Sequence, residues 1–240
     1  MARLDQIARV VAATWPGAEE AQTDAFTCRR GLNGGRRASG ATPKRAVTTD
    51  DLPEAIRIMQ GWGQTPMIAV REDQLDLAAL LDAEGWRDHD HSTYFVGPIS
   101  AMTTEKPPRT STFAIWEPLA IMVDLWAANE IPGPRIDVMR RATCPKTTIL
   151  GRTENRPAGC VYVGAHESMA MIHSLVIAPE FRRKGLAGHM MRAAAHWAAD
   201  QGCSQMALLV GRDNKPAHAL YTSLGMAPVG SYHYRSLEPS

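Results

Sequence analysis

Two rhythms of apolar residues alternate along the chain, and the switches between them mark its elements. Leu4, Ile7, Ala8 and Val11 recur at helical spacing, and Trp15-Pro16-Gly17 stops that helix. Ala25 to Cys28 predicts a short strand. Thr49-Asp50-Asp51-Leu52-Pro53-Glu54 supplies an N-cap and first-turn acids for a helix through Met59. Pro66 to Val70 reads as a strand, Asp73 to Glu84 as a helix with Leu77, Leu80 and Leu81 inward, and Trp86 to Val96 as a closing strand. Pro98, Pro107 and Pro108 then fall among Ser, Thr and Lys, so Gly97 to Thr110 reads as a linker.

Beyond the linker the rhythm is regular. A strand is predicted at Thr112 to Trp116, helices at Leu119 to Ala128 and Pro134 to Arg141, and strands at Thr147 to Arg152 and Gly159 to Ala165. The strongest stretch is Met169 to Gly202. Its first nine residues, Met169 to Ile177, are apolar and of strand length, and Pro179 ends ladder pairing because it has no N–H to give. After the basic turn Arg182-Arg183-Lys184-Gly185, Leu186, Met190, Ala194 and Trp197 recur at helical spacing. A strand at Met206 to Val210, a helix at Pro216 to Leu224 and a strand through Tyr234 complete the order.

A strand, a basic glycine turn and a helix together make an anion site. The first N–H groups of a helix lack internal partners and lie at the positive end of its dipole. Phosphate suits that position. Gly185 lets an anion approach the backbone, Ala187 keeps the next contact small, and Arg182, Arg183 and Lys184 add formal charge. A second glycine-rich stretch, Arg29 to Gly40, holds four arginines and four glycines. It can cradle an anion such as a substrate carboxylate, or it can be a solvated surface loop.

Composition narrows the partners. Hydrophobic residues make up 45% of the 240, charged residues 21%, and the formal net charge is +1. Neither nucleic acid nor a membrane is expected from such a balance, and four arginines without interleaved aromatics make a poor base-stacking platform. Cys28, Cys144, Cys160 and Cys203 lie far apart with no metal-ligand spacing, as expected for reduced thiols in the cytoplasm. No metal site is expected. No apolar run long enough to span a bilayer occurs.

Arg182-x-x-Gly185-x-Ala187, preceded by Leu175-Val176-Ile177-Ala178-Pro179, resembles the acetyl-coenzyme A signature of the GNAT acetyltransferase superfamily. Asn214-Lys215-Pro216-Ala217-His218-Ala219-Leu220-Tyr221-Thr222-Ser223-Leu224-Gly225-Met226 resembles a second segment of that family, with methionine replacing the usual final aromatic. The resemblance covers roughly the last 130 residues. It implies an α/β (α+β, mixed-sheet) GNAT acyl-coenzyme A N-acyltransferase fold.

It also implies acetyl-coenzyme A as co-substrate, held by Leu175, Val176, Ile177, Arg182, Arg183, Lys184, Gly185, Leu186, Ala187, Gly188 and Asn214. The acceptor implied is a primary amine of a small molecule or amino acid, acetylated by direct attack by a monomer or homodimer. Tyr221 would protonate the departing thiolate, and a strand N–H near Val176 would face the oxyanion. His173, on a His-x-Leu-x-Ile strand similar to that of arylalkylamine acetyltransferases, is the candidate base and is expected to share a face with Leu175 and Ile177. Glu167 and Glu117 are alternative bases. A catalytically silent coenzyme A sensor remains the other reading.

An internal echo links the two halves. Leu80-Leu81-Asp82-Ala83-Glu84-Gly85-Trp86 and Leu220-Tyr221-Thr222-Ser223-Leu224-Gly225-Met226 each precede a strand, with glycine just past a helix. This suggests a degenerate GNAT-like copy in residues 1–100, a linker at 101–110 and the acetyltransferase domain at 111–240. The N-terminal copy lacks the Arg-x-x-Gly-x-Gly/Ala turn and is not expected to bind coenzyme A.

Overall fold

The computed structural model describes residues 2–238. The N-terminal half runs α1 (Ala2–Thr14), β1 (Glu19–Gln22), β2 (Phe26–Arg30), α2 (Arg36–Ser39), β3 (Thr42–Pro43), α3 (Leu52–Gly61), β4 (Met67–Arg71), α4 (Leu75–Ala83), β5 (Arg87–Pro98) and α5 (Ile99–Met102). The C-terminal half runs β6 (Thr112–Ile115), α6 (Ala120–Ala127), α7 (Gly133–Arg141), β7 (Lys146–Thr153), β8 (Arg156–His166), β9 (Met169–Ile177), α8 (Leu186–Asp200), β10 (Gln205–Gly211), α9 (Lys215–Ser223) and β11 (Ala227–Ser236).

Both halves feed one sheet of eight strands, in the order β4-β11-β5-β10-β9-β8-β7-β6. β1, β2 and β3 form a separate small sheet. The glycine-punctuated echo becomes an interlock. β4–α4–β5 and β10–α9–β11 are two strand–helix–strand units, and neither pairs its own strands together. β11 pairs with β4 (Tyr234↔Ala69), β5 with β10 (Tyr94↔Leu209), and β5 and β11 lie antiparallel between them. Gly85 at φ 77° and Gly225 at φ 80° close the two helices alike, with Trp86 N–H on the Leu81 carbonyl and Met226 N–H on that of Tyr221.

The sheet therefore crosses the boundary expected at residues 101–110. Part of the expected linker is ordered: β5 continues to Pro98 and α5 follows at once. Ile99 and Met102 are buried in the core that α8 and α9 form on their side of the sheet, which gives this proline-flanked segment an apolar anchor. α1, α6 and α7 cover the opposite face, where Trp15, Trp126 and Tyr162 are buried. Among the described residues no helix is long and apolar enough to cross a membrane.

Candidate active site

β9 and β10 start as parallel neighbours and then part. Their pairing runs from Met169↔Gln205 to Ile172↔Leu208 and stops there. Beyond that point the edges of His173–Ile177 and Leu209–Gly211 that face each other have no ladder partner. A bulge accompanies the split. β8 pairs Cys160 with Val176 but Tyr162 with His173, so β9 carries one extra residue, and Ser174 sits at φ 54°. The buried Trp126 donates its indole N–H to the Ser174 carbonyl at 2.8 Å, which holds the distorted backbone in place.

The bulge corrects one expectation. Strict alternation would put His173 on the face of Leu175 and Ile177. The extra residue reverses that relation: Leu175 and Ile177 pack toward α8, whereas His173 points to the α1 side and stacks on Trp15 with ring centroids 4.7 Å apart.

His173 is buried and both its ring nitrogens are engaged. Arg37 Nη1 lies 3.1 Å from Nδ1, and a guanidinium can only donate, so Nδ1 accepts. The ring proton then resides on Nε2, which donates to Thr14 Oγ1 at 2.9 Å while that hydroxyl donates to the Val10 carbonyl at 2.8 Å. Burial, with Arg37 alongside, pushes the His173 pKa well below the ordinary value. The alternative bases lie outside the cavity described below: Glu167 pairs with Arg9 at 2.9 Å and Glu117 with Arg140 at 3.2 Å.

The turn into α8 has the expected form. Gly185 is the N-cap at φ 81°, and no side chain caps the helix there, so its first N–H groups remain available. A Cβ at Gly185 would meet nothing nearer than His189 Nε2 at 3.8 Å, which leaves the approach clear. The three basic residues divide their work. Arg182 Nε donates to the Ile177 carbonyl at 3.0 Å and ties the turn to the strand. Lys184 pairs with Glu154 at 2.6 Å across the β7–β8 turn, and Arg183 is exposed at φ 64°. Leu186 and Gly188 face inward and Ala187 is half-buried.

A cavity of about 420 Å³ fills the split between β9 and β10. Leu175, Asn214 and Tyr221 line it together with Trp15, Arg37, Arg135 and Tyr232. Tyr221 is buried in α9 beside Phe95, and burial pushes its phenol up to about 12. Asn214 caps α9, its Oδ1 accepting the Ala217 N–H at 3.2 Å. Sequence reasoning missed Trp15, Arg135, Ser174 and Tyr232. They come from four separated elements and follow no common spacing, so only their convergence gives them away.

The arginine-rich segment is ordered. Arg29 pairs with Glu20 at 3.0 Å and Arg30 with Glu19 at 3.3 Å, and Arg36 pairs with Asp90. Among the described residues Arg37 has no carboxylate partner, and its Nε is buried without a hydrogen-bond acceptor. Arg135 at the start of α7 likewise makes no ion pair, and burial together with Arg37 and Arg36 lowers its pKa. Nearby, Asp88, His91 and His233 gather their ligand atoms within 4.8 Å, but Arg235 Nε donates to His233 Nε2 at 3.2 Å, so the group is already a hydrogen-bonded network.

Residues 119–226 match the sequence model of the Acetyltransferase (GNAT) family. That stretch belongs to the GNAT family. An uncharacterized N-acetyltransferase of Bacillus subtilis (strain 168), YobR, is similar at 34% identity over 64 residues, 27% of this chain and 26% of the relative. Aminoglycoside N(6')-acetyltransferase type 1 of Acinetobacter genomosp. 13 is similar at 32% identity over 57 residues, 24% of this chain and 39% of the relative. The matches thus span well under half of those relatives' length.

The likeness in fold extends over both halves of the chain. A GCN5-related N-acetyltransferase from Kribbella flavida superposes with a TM-score of 0.72 over 98% of this chain and 95% of its own, at 15% identity. A tandem GNAT protein from the clavulanic acid biosynthesis pathway does so with a TM-score of 0.63 over 98% and 88%, at 14% identity. At such identities the likeness is one of fold.

Proposed function

We propose that this chain transfers an acetyl group from acetyl-coenzyme A to the primary amine of a small molecule or amino acid by direct attack. The observation that carries the reading is the split between β9 and β10, which opens a cavity lined by Asn214 and Tyr221 beside the strand that leads to the start of α8, where Gly185 is the N-cap and no side chain caps the helix. The residues fit the co-substrate. The N–H groups opening α8 suit a pyrophosphate, and the free edge of β9 from His173 to Ile177 suits amides that pair like an added strand. Asn214 lines the same cavity. Acetyl-coenzyme A bound there supplies an activated thioester.

The chain's own groups then divide the task. A backbone N–H of the bulged strand near Val176 faces the charge that develops on the carbonyl oxygen. Tyr221, kept protonated by burial, gives its proton to the departing thiolate. The small-molecule amine is supported by the relative named for an aminoglycoside acceptor. His173 serves as base when Arg37 leaves Nδ1.

That occupied nitrogen favours one competing reading, a coenzyme A-binding protein without turnover. Calorimetry with acetyl-coenzyme A and thiol release in the presence of an amine panel separate the two. Binding with amine-dependent thiol release is expected. Binding without release for any amine sinks the enzyme reading, and no binding sinks both.

A further inference from the structure

The cavity holds more positive charge than the co-substrate site explains. Its titratable lining groups besides tyrosines include Arg36, Arg37, Asp90, Arg135, His91 and His173. Asp90, the acidic member, already pairs with Arg36. His173 is held neutral between Thr14 and Arg37. Two guanidinium groups, Arg37 and Arg135, have no carboxylate partner among the described residues.

Local geometry shows that both are placed rather than stray. Gly34 admits α7 against the arginine-rich segment, since a Cβ there would lie 2.4 Å from Val138 Cγ2. Gly35, at φ 91°, carries no Cβ at a point only 3.2 Å from Arg135 Nε, so the Arg135 head lies over the backbone two residues before Arg37. Arg37 is half-buried, with His173 on Nη1 and an unmatched Nε. Arg37 is supported by the phenols of Tyr232, Tyr234 and Tyr94, whereas Arg135 is disfavoured by burial and by Arg37 and Arg36 beside it, so the guanidinium pair gains most when an anion joins it.

We propose that Arg37 and Arg135 bind a carboxylate of the acceptor, so that the substrate is an amine bearing a carboxylate, of the amino-acid class. The inference rests on the transferase reading. A planar carboxylate offers the acceptor oxygens that guanidinium forks match, and it restores neutrality in the cleft. The pair lines the cavity together with Trp15 and Tyr232, and the Gly185 turn is not part of that lining, which leaves the coenzyme phosphates their own site.

The test uses the full chain, saturated with acetyl-coenzyme A, and pairs of L-amino acids with their decarboxylated amines, such as lysine with cadaverine and phenylalanine with phenethylamine. At least one amino acid is expected to outperform its amine in kcat/KM. In R135Q that preference should shrink by about ten- to a hundredfold through KM for the amino acid. The decarboxylated amine and the acetyl-coenzyme A affinity should stay unchanged, and the latter also certifies the fold. R135K should rescue part of the loss. Where turnover is too slow to follow, calorimetric binding of the same pairs to the coenzyme-loaded protein gives the same readout. Equal performance within every pair, no binding of either member, or a loss in R135Q confined to coenzyme affinity overturns the proposal. Failure to bind acetyl-coenzyme A at all would instead strike the transferase reading beneath it.

Discussion

Arg37, from the N-terminal half, donates a hydrogen bond to Nδ1 of His173, on the central strand of the C-terminal half, across 3.1 Å. That one contact joins the arginine-rich segment to the split in the sheet. It also fixes the histidine's tautomer and occupies the lone pair a base would use. The residue resembling a family base is thus under the control of a residue outside the family match at 119–226.

Stability should fall in mild acid because of this buried ring. His173 is neutral in the folded chain and its pKa lies well below 6.5 there, whereas the unfolded chain takes up a proton near that value. Between the two pKa values the unfolded state binds more protons, so stability is full above about pH 6.5 and is lost as pH drops toward the folded pKa. The slope is at most about 1.4 kcal/mol per pH unit for one such group. His233, also lowered by burial, adds a slope of the same sign, so a variant at His173 removes only part of it. Denaturant titrations of the wild type and H173Q at several pH values check this. Parallel pH dependence in the two proteins would rule out a buried neutral His173.

Tyr221→Phe should lower kcat roughly a hundredfold or more while leaving acetyl-coenzyme A binding nearly intact. The phenol is buried beside Phe95, so removing only its hydroxyl preserves the packing. With its pKa pushed up to about 12, Tyr221 stays protonated through the working range, and no falling limb from it should appear in the pH–rate profile below about pH 10. Steady-state kinetics of both proteins across pH supply the measurement. An unchanged kcat would remove Tyr221 from the chemistry.

Gly185→Ala separates backbone strain from ligand contact. The left-handed φ of 81° penalises any Cβ, by about 1–2 kcal/mol, even though the surrounding space is open. Gly202, at φ 78° with nothing within 4 Å, closes the other end of the same helix and makes a matched control. Both alanine variants should lose similar stability by thermal melt, and only Gly185→Ala should also weaken acetyl-coenzyme A in calorimetry. Equal affinities in the two variants would move the phosphate site elsewhere.

Motifs and glycines were legible in the sequence because they encode local geometry. The Gly185 turn, the Asn214 cap and the paired closures at Gly85 and Gly225 each obey rules that span a few residues. The side-chain face of His173 was not legible, since a single-residue bulge at Ser174, fixed by Trp126 from a distant helix, inverts the alternation. The Arg29–Gly40 segment showed its composition but not its sorting. Three of its arginines find carboxylates from elsewhere in the fold and one does not, which is a fact of tertiary contact. Interlocking of the two halves likewise depends on which strands pair, and the echo in sequence says only that two similar units exist.

That interlock makes a sharp expectation about domain structure. In the intact chain β10 and β11 do not pair with each other; β5 lies between them and bonds to both, through Leu209↔Tyr94 on one side and Tyr232↔Ser92 on the other. Deleting residues 1–110 removes β5, and β4 with it. The cut leaves β10 and β11 with open edges and uncovers Phe95, Ile99 and Met102's partners in the α8 core. Residues 111–240 alone should therefore show no cooperative melt and should associate on a sizing column, although they contain the whole family match at 119–226. Co-expression with residues 1–110 as a separate chain should restore a single cooperative transition, because the strand supplies its hydrogen bonds without needing the connection. A sharp, reversible melt of the isolated C-terminal fragment would show instead that its sheet closes without β5.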